Sequence, residues 1–401
     1  QTINYFWDGA EPNSGLALER IHMDNSSYDS PNNTVTTGGS GFGLMAILVG
    51  IERGFIAKEA ALLRFQKIVD FLDKADRFHG AWPHWINGET GKVYPFSEKD
   101  NGGDLVETAF LIQGLLTVAE YFDGDTAAEK ELVSKIDTLY KTVEWDWYTK
   151  NGEDVLYWHW SPEYGWDMNL PVQGYNECLI MYVLAAASPT HPINKSVYEQ
   201  GWARNGGMVS NKTYYDENIV LNYFYNDTDL VGPLFWAHYS YLGLDPRNLS
   251  DQYANYWTLT QNQAKIHYKY AVDNPLNFKG YGKDLWGLTS SYSIDGYHGH
   301  RPGDDLGVIS PTAALSSFPY TPKESMNVLR NIYMNHDNLV GKYGPYDAFS
   351  FEGNWYIEKY LAIDQGPIPV MIENYRTGLL WRLFMKNSDV QNGLDALGFT
   401  Y

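Results

Sequence analysis

The amino-acid sequence predicts an all-α protein in which six inner and six outer helices form an (α/α)6 barrel, with small β-hairpins or loops on one rim. Helical periodicity dominates the chain, and several segments are small or apolar nearly all round, as helices buried on several sides are. These segments recur roughly every 55 to 80 residues, and each precedes a more charged, amphipathic stretch. No linker, low-complexity tract or like-charge block interrupts the 401 residues, which predicts a single domain over residues 1–401.

Three amphipathic segments are the clearest outer helices. They carry a stripe of apolar residues between charged ones and span residues 57–77, 127–147 and 321–335. The third begins Thr-Pro-Lys-Glu at Thr321, which predicts a capping box with proline in the first helical position. The predicted inner helices are residues 39–50, 105–119, 175–187, 233–242, 311–318 and 364–372. Strand-like stretches between helices predict rim hairpins at residues 155–160 and 219–225.

The composition limits the classes of partner. The chain has 49 acidic and 29 basic residues, and its net charge of −20 repels nucleic acid phosphates, anionic membranes and polyanionic substrates. Aromatic residues make up 16% of the chain, which suits binding to the flat faces of sugars, although many such rings belong to any protein core. We therefore predict a neutral glucan or oligosaccharide as the partner, no nucleic acid, no membrane insertion, and a monomer.

Motifs of several other chemistries are missing. The sequence contains no H-E-x-x-H, G-x-S-x-G, Walker loop or G-x-G-x-x-G pattern, and its single cysteine, Cys178, excludes a cysteine-rich zinc site. The run His-Gly-His-Arg-Pro-Gly-Asp-Asp at 298–305 has metal-ligand residue types. Its glycines, proline and arginine nevertheless favour a polar loop that binds substrate. We predict that the protein requires no metal and no cofactor.

Acidic residues at the starts of inner helices are the candidate catalytic groups. The inner helices of such a barrel run parallel, so acids at their N-termini converge on one mouth. Asp100, Asp104 and Glu107 surround the start of the second inner helix, Glu177 that of the third and Asp364 that of the sixth. Helix capping and the helix dipole are the alternative explanation for each acid. The apolar neighbours of Glu177 predict a raised pKa, which suits a general acid.

Two carboxylates in different environments, facing each other across an aromatic cleft, are the minimum requirement for hydrolysis of a glycosidic bond. We expect Glu177 and Asp364 to face one cleft, farther apart than the ~5–5.5 Å of a retaining pair. Aromatic, polar and charged side chains elsewhere are the predicted substrate-binding residues: Trp82, His84, Asn101, Asn176, Tyr297, His298, His300, Arg301, Asp347 and Gln365.

Five motifs carry a resemblance to a known family. They are HGAWPHW at 79–85, DNGGDLVETA at 100–109, SPTHPI at 188–193, AIDQGP at 362–367 and MIENYRTGLLW at 371–381. The resemblance covers nearly the whole chain. The sequence is similar to the bacterial glycoamylase-like domain, and in particular to the β-1,2-glucanases of glycoside hydrolase family 144.

This resemblance implies an (α/α)6 barrel, a periplasmic or secreted protein, and inverting hydrolysis of β-1,2-glucan or sophoro-oligosaccharides without a cofactor. The action could be endo cleavage or exo release of sophorose. Position by position, the resemblance implies Glu177 as the acid, Asp364 on the base side, and Asp100, Asp104 and Glu107 as an acidic cluster needed for activity.

Two alternatives stay open. The first is a hydrolase of another neutral glucan, such as an α-linked, glucoamylase-like one, and the second is a non-catalytic glycan-binding protein. Because the chain begins at Gln1 rather than methionine, we expect that a signal peptide was removed.

Overall fold

Helices dominate the computed structural model, which describes residues 1–28, 30–223 and 231–401. The prediction of a helix-rich protein with little sheet is confirmed. The α-helices of the described residues are α1 (Ile3–Trp7), α2 (Thr37–Glu52), α3 (Lys58–Leu72), α4 (Leu105–Tyr121), α5 (Ala127–Lys141), α6 (Leu179–Ala187), α7 (Tyr256–Asp273), α8 (Pro311–Ser316), α9 (Pro322–Asn335), α10 (Ala362–Gln365), α11 (Pro367–Thr377), α12 (Leu379–Lys386) and α13 (Ser388–Leu397). A π-helical segment spans Val197–Trp202, and 3-10 helices span Trp145–Thr149, Arg204–Gly206, Leu234–Ala237, Ser240–Leu242 and Asp337–Leu339.

The strands are short, pair antiparallel, and hold the starts of inner helices. They are β1 (Arg20–His22), β2 (Thr34–Thr36), β3 (Trp85–Asn87), β4 (Val93–Tyr94), β5 (Gly103–Asp104), β6 (His159–Trp160), β7 (Thr213–Tyr214), β8 (Glu217–Asn218), β9 (Ser290–Ser293), β10 (Gly296–Gly299), β11 (Val340–Gly341), β12 (Gly344–Pro345), β13 (Phe349–Ser350), β14 (Trp355–Tyr356) and β15 (Lys359–Leu361). Strands β2, β5 and β15 lead directly into α2, α4 and α10, and each pairs with a strand elsewhere in the chain, β3, β6 and β1 respectively. The helix starts that carry acids are therefore fixed by sheet hydrogen bonds.

Most predicted helices are present. The outer segments correspond to α3, α5 and α9, and the inner ones to α2, α4, α6, α8 and the pair α10–α11. Of the two predicted hairpins, 155–160 contains β6, whereas 219–225 forms only an isolated bridge at Leu221 within the described residues. Residues 224 and 225 lie outside the described part of the chain.

The predicted inner helix at 233–242 needs correction, because it forms two 3-10 helices rather than one α-helix. The side chain of Gln113 on α4 explains the interruption. Its Nε2 donates to the backbone oxygen of Tyr239 at 3.0 Å, and its Oε1 accepts from the backbone N–H of Gly243 at 2.8 Å. These backbone groups therefore have partners without a continuous helix.

The capping box predicted at Thr321 is also wrong. The Thr321 hydroxyl donates to the backbone oxygen of Ser317 at 3.2 Å and does not cap α9, although Pro322 does occupy the first helical position. A complete capping box begins α5 instead, where Thr126 and Glu129 bond each other's backbone N–H groups. The Thr-x-x-Glu pattern alone could not tell these two sites apart.

Glycines let α2 and α4 pack side by side in the same direction. A Cβ atom on Gly41 would overlap the backbone oxygen of Phe110, and one on Gly114 would overlap the backbone oxygen of Gly41. The backbone N–H of Gly38 donates to Glu107. Residue numbers therefore increase in the same direction along α2 and α4, and the two helices are parallel.

The pair α10–α11 packs on α2 with the same polarity. A Cβ atom on Gly39 would meet Ala362, and one on Gly366 would meet Phe42. Residue numbers therefore again increase in the same direction along the two packed segments. The N-termini of α2, α4 and α10 therefore lie at one end of the molecule.

A hydrophobic core extends over the described chain from Ile3 to Phe399. The inner helix α2 is buried along nearly its whole length, whereas α3 and α5 bury one face each. Within the described residues, no helix combines the length and the apolar character needed to cross a membrane.

We expect Gly41→Ala to lower the free energy of unfolding by about 1–3 kcal/mol, because the new methyl group would push α2 away from α4. Alanine favours helix formation over glycine, so propensity alone predicts the opposite sign. Gly282→Ala is the matched control, since its Cβ would meet no atom within 4 Å. Urea unfolding of both variants tests the close approach, and a Gly41→Ala protein as stable as the wild type would contradict it.

Candidate active site

The start of α4 fixes the position of Asp104. This residue is the N-cap of α4, and its Oδ1 accepts from the backbone N–H of Glu107 at 2.9 Å. Its Oδ2 accepts from His84 Nδ1 and from the indole N–H of Trp158, both at 3.0 Å. Asp104 is fully buried. Helix capping, the alternative explanation that the sequence offered for this acid, therefore applies to it. Its carboxylate orients His84, and the catalytic role predicted for Asp104 stays a prediction.

Glu107 and Asp100 are the other acids of this group. Glu107 Oε2 accepts from the backbone N–H of Gly38 at 2.7 Å, in the first turn of α2. Burial raises the pKa of Glu107 to about 7, against the opposing charge of His84. Burial, followed by the charge of Asp104, raises the pKa of Asp100 to about 6. Both groups therefore titrate close to neutral pH.

His84 supplies positive charge to this acidic group. Burial alone would lower its pKa, but the carboxylates of Glu107, Asp104 and Asp100 outweigh burial and raise it to about 10. The ring stacks on Phe96 with 4.2 Å between centroids. His84 is therefore an imidazolium held between carboxylates and covered by an aromatic ring.

Glu177 lies beside this group. The helix α6 begins at Leu179, so Glu177 occupies the preceding turn rather than the expected first turn. Its backbone oxygen accepts from the hydroxyl of Ser240, and only 8% of the residue is exposed. Burial, followed by the charges of Glu107 and Asp104, raises the pKa of Glu177 to about 7. The raised pKa expected from its apolar neighbours is confirmed, so Glu177 can hold a proton near neutral pH.

Asp364 belongs to a second group of acids. It lies in α10 directly after β15, almost completely buried. Burial is the main cause that raises its pKa well above the ordinary value, and the charge of Asp347 and a hydrogen bond with Asp347 follow. The backbone N–H of Asp347 donates to the oxygen of Lys359 at 3.0 Å, so Asp347 lies beside the short strand β15, and Asp364 follows that strand in α10.

Tyr239 connects the two groups and was missed from the sequence. Burial raises its pKa, and Asp364, Glu177 and Glu107 add to the shift, so its hydroxyl lies within electrostatic range of all three carboxyls. Among the described residues this hydroxyl has no hydrogen-bond partner. The ring packs on Phe42 with 4.8 Å between centroids. A tyrosine in an otherwise apolar inner segment was the available signal, because buried hydroxyls need partners.

The predicted rim residues lie on and after β10. Tyr297 is 56% exposed as a whole residue, but its hydroxyl end is enclosed. Burial of that end, followed by the charges of Asp364 and Asp347, raises the pKa of Tyr297, so the hydroxyl approaches these acids. His298 is half-exposed, with its Nε2 at 3.6 Å from Asp304 Oδ1. Arg301 also donates to Asp304, at 3.1 Å. Tyr297 is therefore the rim residue placed next to the acids.

The two predicted asparagines shape loops. Asn101 Oδ1 accepts from the hydroxyl of Ser161 at 2.5 Å, and its Nδ2 donates to Glu163 at 3.3 Å. Asn176 Oδ1 accepts from the backbone N–H of Cys178 at 3.0 Å. These bonds fix the backbone next to Asp100 and next to Glu177.

Four predicted substrate-binding residues are fully buried and have no surface for a sugar: Trp82, His300, Asp347 and Gln365. The indole N–H of Trp82 donates to the backbone oxygen of Leu72 at 3.1 Å, and Gln365 Nε2 donates to that of Pro345 at 2.8 Å. Burial lowers the pKa of His300 to about 4. These side chains belong to the core, contrary to the sequence prediction.

Phe96 is an exposed aromatic residue that the sequence analysis missed. About half of it is exposed (49%), and besides stacking on His84 it meets Trp85 edge-on at 4.8 Å. It is therefore a better candidate than Trp82 for an aromatic surface beside the acids.

Within the described chain, one group of side chains has the geometry of a metal site. His84, Asp100 and Asp104 offer ligand atoms that all lie within 4.8 Å of one another. A histidine ligand must be neutral, whereas the raised pKa of His84 keeps it protonated and its Nδ1 donates to Asp104. The imidazolium thus occupies the place of a cation. The absence of a metal or cofactor requirement stays a prediction.

Comparisons with known proteins agree on one family. A protein-family model described as "Glycoamylase: Putative glucoamylase" matches residues 169–388. A curated exo β-1,2-glucooligosaccharide sophorohydrolase (non-reducing end) from Parabacteroides distasonis is 46% identical over 98% of this chain and 56% of its own length. The chain thus spans about half the length of this curated relative.

Solved structures similar to this chain include β-1,2-glucanases. An endo-β-1,2-glucanase from Chitinophaga pinensis, in complex with sophorotriose and glucose, is 58% identical with a TM-score of 0.98, covering 100% of this chain and 96% of that one. An endo-β-1,2-glucanase from Talaromyces funiculosus is 10% identical with a TM-score of 0.68, covering 99% of this chain and 88% of that one, and shares the fold.

We expect the His84 imidazole to titrate with a pKa of about 10 in the folded protein. Glu107→Gln should lower this pKa, because it removes a carboxylate that stabilises the imidazolium. NMR of ring-labelled histidine measures both values. Glu144→Gln is the matched control, since Glu144 bonds His79 instead. Titration of His84 near its ordinary value in the wild type would contradict the charge arrangement.

Proposed function

This chain belongs to the glycoamylase-like family, whose relatives include β-1,2-glucan hydrolases, and from that premise we propose that it hydrolyses β-1,2-glucan and its sophoro-oligosaccharides. The observation that carries the proposal is that two acidic groups, one with Glu177 and Glu107 and one with Asp364, both lie within electrostatic range of the Tyr239 hydroxyl. Glu177 has the raised pKa of a general acid, and Asp364 belongs to a separate group of carboxyls. Exposed aromatic residues, Phe96 and Tyr297, stand next to the two groups.

In the proposed reaction Glu177 protonates the departing glycosidic oxygen, while the Asp364 side removes a proton from the attacking water. We propose inversion of the anomeric carbon, as the family resemblance implies, and the two carboxyls belong to separate groups. Glu107 and Asp104 shift the pKa of Glu177, whereas Asp347 and Glu19 shift that of Asp364. An inverting pair needs room for a water molecule, with carboxyls ~6.5–9.5 Å apart.

The acids at the start of α4 support Glu177 rather than attack the substrate. The charges of Glu107 and Asp104 favour the protonated form of Glu177, as a general acid requires. Asp104 also orients His84, which limits the net negative charge in the cleft. Loss of these carboxyls would thus weaken the reaction through the protonation state of Glu177.

We propose that the helices described above form one barrel. We infer a single-domain (α/α)6 barrel whose inner ring is α2, α4, α6, the 3-10 pair at 234–242, α8 and α10–α11. Its support is the parallel packing of α2 with α4 and with α10–α11, and the closure of the ring by contacts between α8 and α11. A periplasmic or secreted location and a monomeric state are proposals that follow from the sequence resemblance and the strongly negative charge.

The mode of action is left to experiment, because the relatives differ. The Parabacteroides protein is named an exo-acting sophorohydrolase and the Chitinophaga protein an endo-glucanase. Product chromatography separates the two modes: sophorose alone indicates exo action, and a ladder of oligosaccharides indicates endo cleavage.

We expect the wild type to release reducing sugar from linear β-1,2-glucan, and not from laminarin or soluble starch. Glu177→Gln should fold normally and lose ~10²- to 10⁴-fold in kcat, because the departing oxygen loses its proton donor. Glu131→Gln, an exposed site on α5, is the matched control and should keep full activity. Hydrolysis of starch alone would support the glucoamylase-like alternative, and binding without hydrolysis the non-catalytic one. A fully active Glu177→Gln protein would exclude Glu177 as the acid.

A further inference from the structure

Asp347 and Asp364 are brought together by strands from distant parts of the chain. Strand β15 ends directly before α10, which carries Asp364, and β15 also holds Asp347 through the backbone bond to Lys359. Gln365 reinforces this arrangement through its bond to the backbone oxygen of Pro345. Asp347 is fully buried, and Asp364 is 4% exposed.

The two carboxyls leave one oxygen each without a donor. Asp347 Oδ2 accepts from the backbone N–H of Tyr292 at 2.8 Å. Asp347 Oδ1 and Asp364 Oδ2 are buried and receive no N–H or O–H from the described residues. Each carboxyl shifts the pKa of the other, and the interaction raises the pKa of Asp364 while it lowers that of Asp347, which favours a proton on Asp364. Two buried carboxylates cannot form a hydrogen bond with each other without a proton between them.

The surroundings favour retention of that proton. From the β1 side, Glu19 raises the pKa of both carboxyls, whereas Arg20 lowers that of Asp347. Tyr239 and Tyr297 face the pair with hydroxyls whose own pKa values are raised, so they stay neutral.

The side chain of Lys359, whose backbone holds Asp347, is directed towards other groups. The Lys359 ammonium lies over the Tyr292 ring, 5.3 Å from its centroid, and at 4.0 Å from Asp24. One negative charge and one shared proton are therefore the arrangement that satisfies both orphan oxygens.

We propose that Asp347 and Asp364 share a single proton and act together as the base, with Asp347 as a positioning residue that works through Asp364. The catalytic part of this inference rests on the proposed function. It reassigns Asp347, which the sequence predicted to bind substrate, to the proton transfer itself.

Each proton that moves in the proposed step has a donor and an acceptor. The water oxygen bonds to the anomeric carbon as the bond from that carbon to the glycosidic oxygen breaks. The water proton moves to Asp364, and the shared proton passes onto Asp347, so the pair ends neutral with two protons. Glu177 gives its proton to the departing oxygen and becomes a carboxylate. Release of one proton from the pair and uptake of one by Glu177 restore the starting state.

Infrared spectroscopy of the free protein tests the shared proton without any substrate. At about pH 9, Glu107 and Glu177, each with a pKa of about 7, are ionised. We expect the wild type to keep the carbonyl stretch of a protonated carboxyl at this pH. Asp364→Asn should lose that band, because it removes the protonated partner, and Asp347→Asn should lose it at a lower pH than the wild type, because it removes the neighbouring charge that adds to the effect of burial.

Asp347→Asn retains an oxygen for the Tyr292 N–H, so it changes charge with little change of shape. Asp70→Asn, a half-exposed site on α3, is the matched control and should keep the band. Absence of the band from the wild type, or its disappearance at an unchanged pH in folded Asp347→Asn, would overturn the proposal. Asp347→Ser takes the place of Asp347→Asn if circular dichroism shows the latter to be unfolded.

Kinetics test the role of the pair in the reaction. Asp347→Asn should lose ~10²-fold or more in kcat on β-1,2-glucan, with KM little changed, because the buried Asp347 makes no contact with substrate. Wild-type kcat in a folded Asp347→Asn protein whose band disappears at a lower pH would overturn the positioning role. An inactive wild type with the expected spectra would overturn the proposed function and support the shared proton.

Discussion

The close approach of parallel helices α2 and α4 is the constraint on which the site depends. Gly41 and Gly114 let the two backbones meet, and this contact brings the first turn of α2 against Glu107 on α4. Because α10–α11 packs on α2 with the same polarity, Asp364 reaches the same end of the molecule. A wider spacing of α2 and α4 would separate the Gly38 N–H from Glu107 and expose the acids that raise the pKa of Glu177.

Burial of many carboxyls at one end carries an electrostatic cost, and the structure offsets it in two ways. Near α4, the imidazolium of His84 balances Asp100, Asp104 and Glu107. Near α10, no cation contacts Asp364 among the described side chains, and a retained proton takes that role in our account. The difference gives the two acidic groups distinct protonation states, which acid–base catalysis by two carboxyls requires.

Periodicity was enough to predict most of the helices, and the convergence of Asp100, Asp104, Glu107, Glu177 and Asp364 on one cleft stays a prediction. The prediction failed where tertiary contacts decide the outcome. Trp82 and His300 have residue types suited to sugars, but burial depends on packing that the local sequence does not show. Asp347 lies far from Asp364 in sequence, and only β15 brings them together. Tyr239 was missed because Gln113, on another helix, sets the backbone of its segment.

The central claim of this account is that Glu177 is the acid and the Asp347–Asp364 pair is the base, with Tyr239 within electrostatic range of both Glu177 and Asp364. The stereochemistry of hydrolysis tests it most directly, because a water molecule activated opposite the acid must invert the anomeric carbon. Proton NMR during the first turnovers on β-1,2-glucan reports the configuration of the new reducing end before mutarotation. The account predicts the α-anomer first, and initial release of the β-anomer would contradict it.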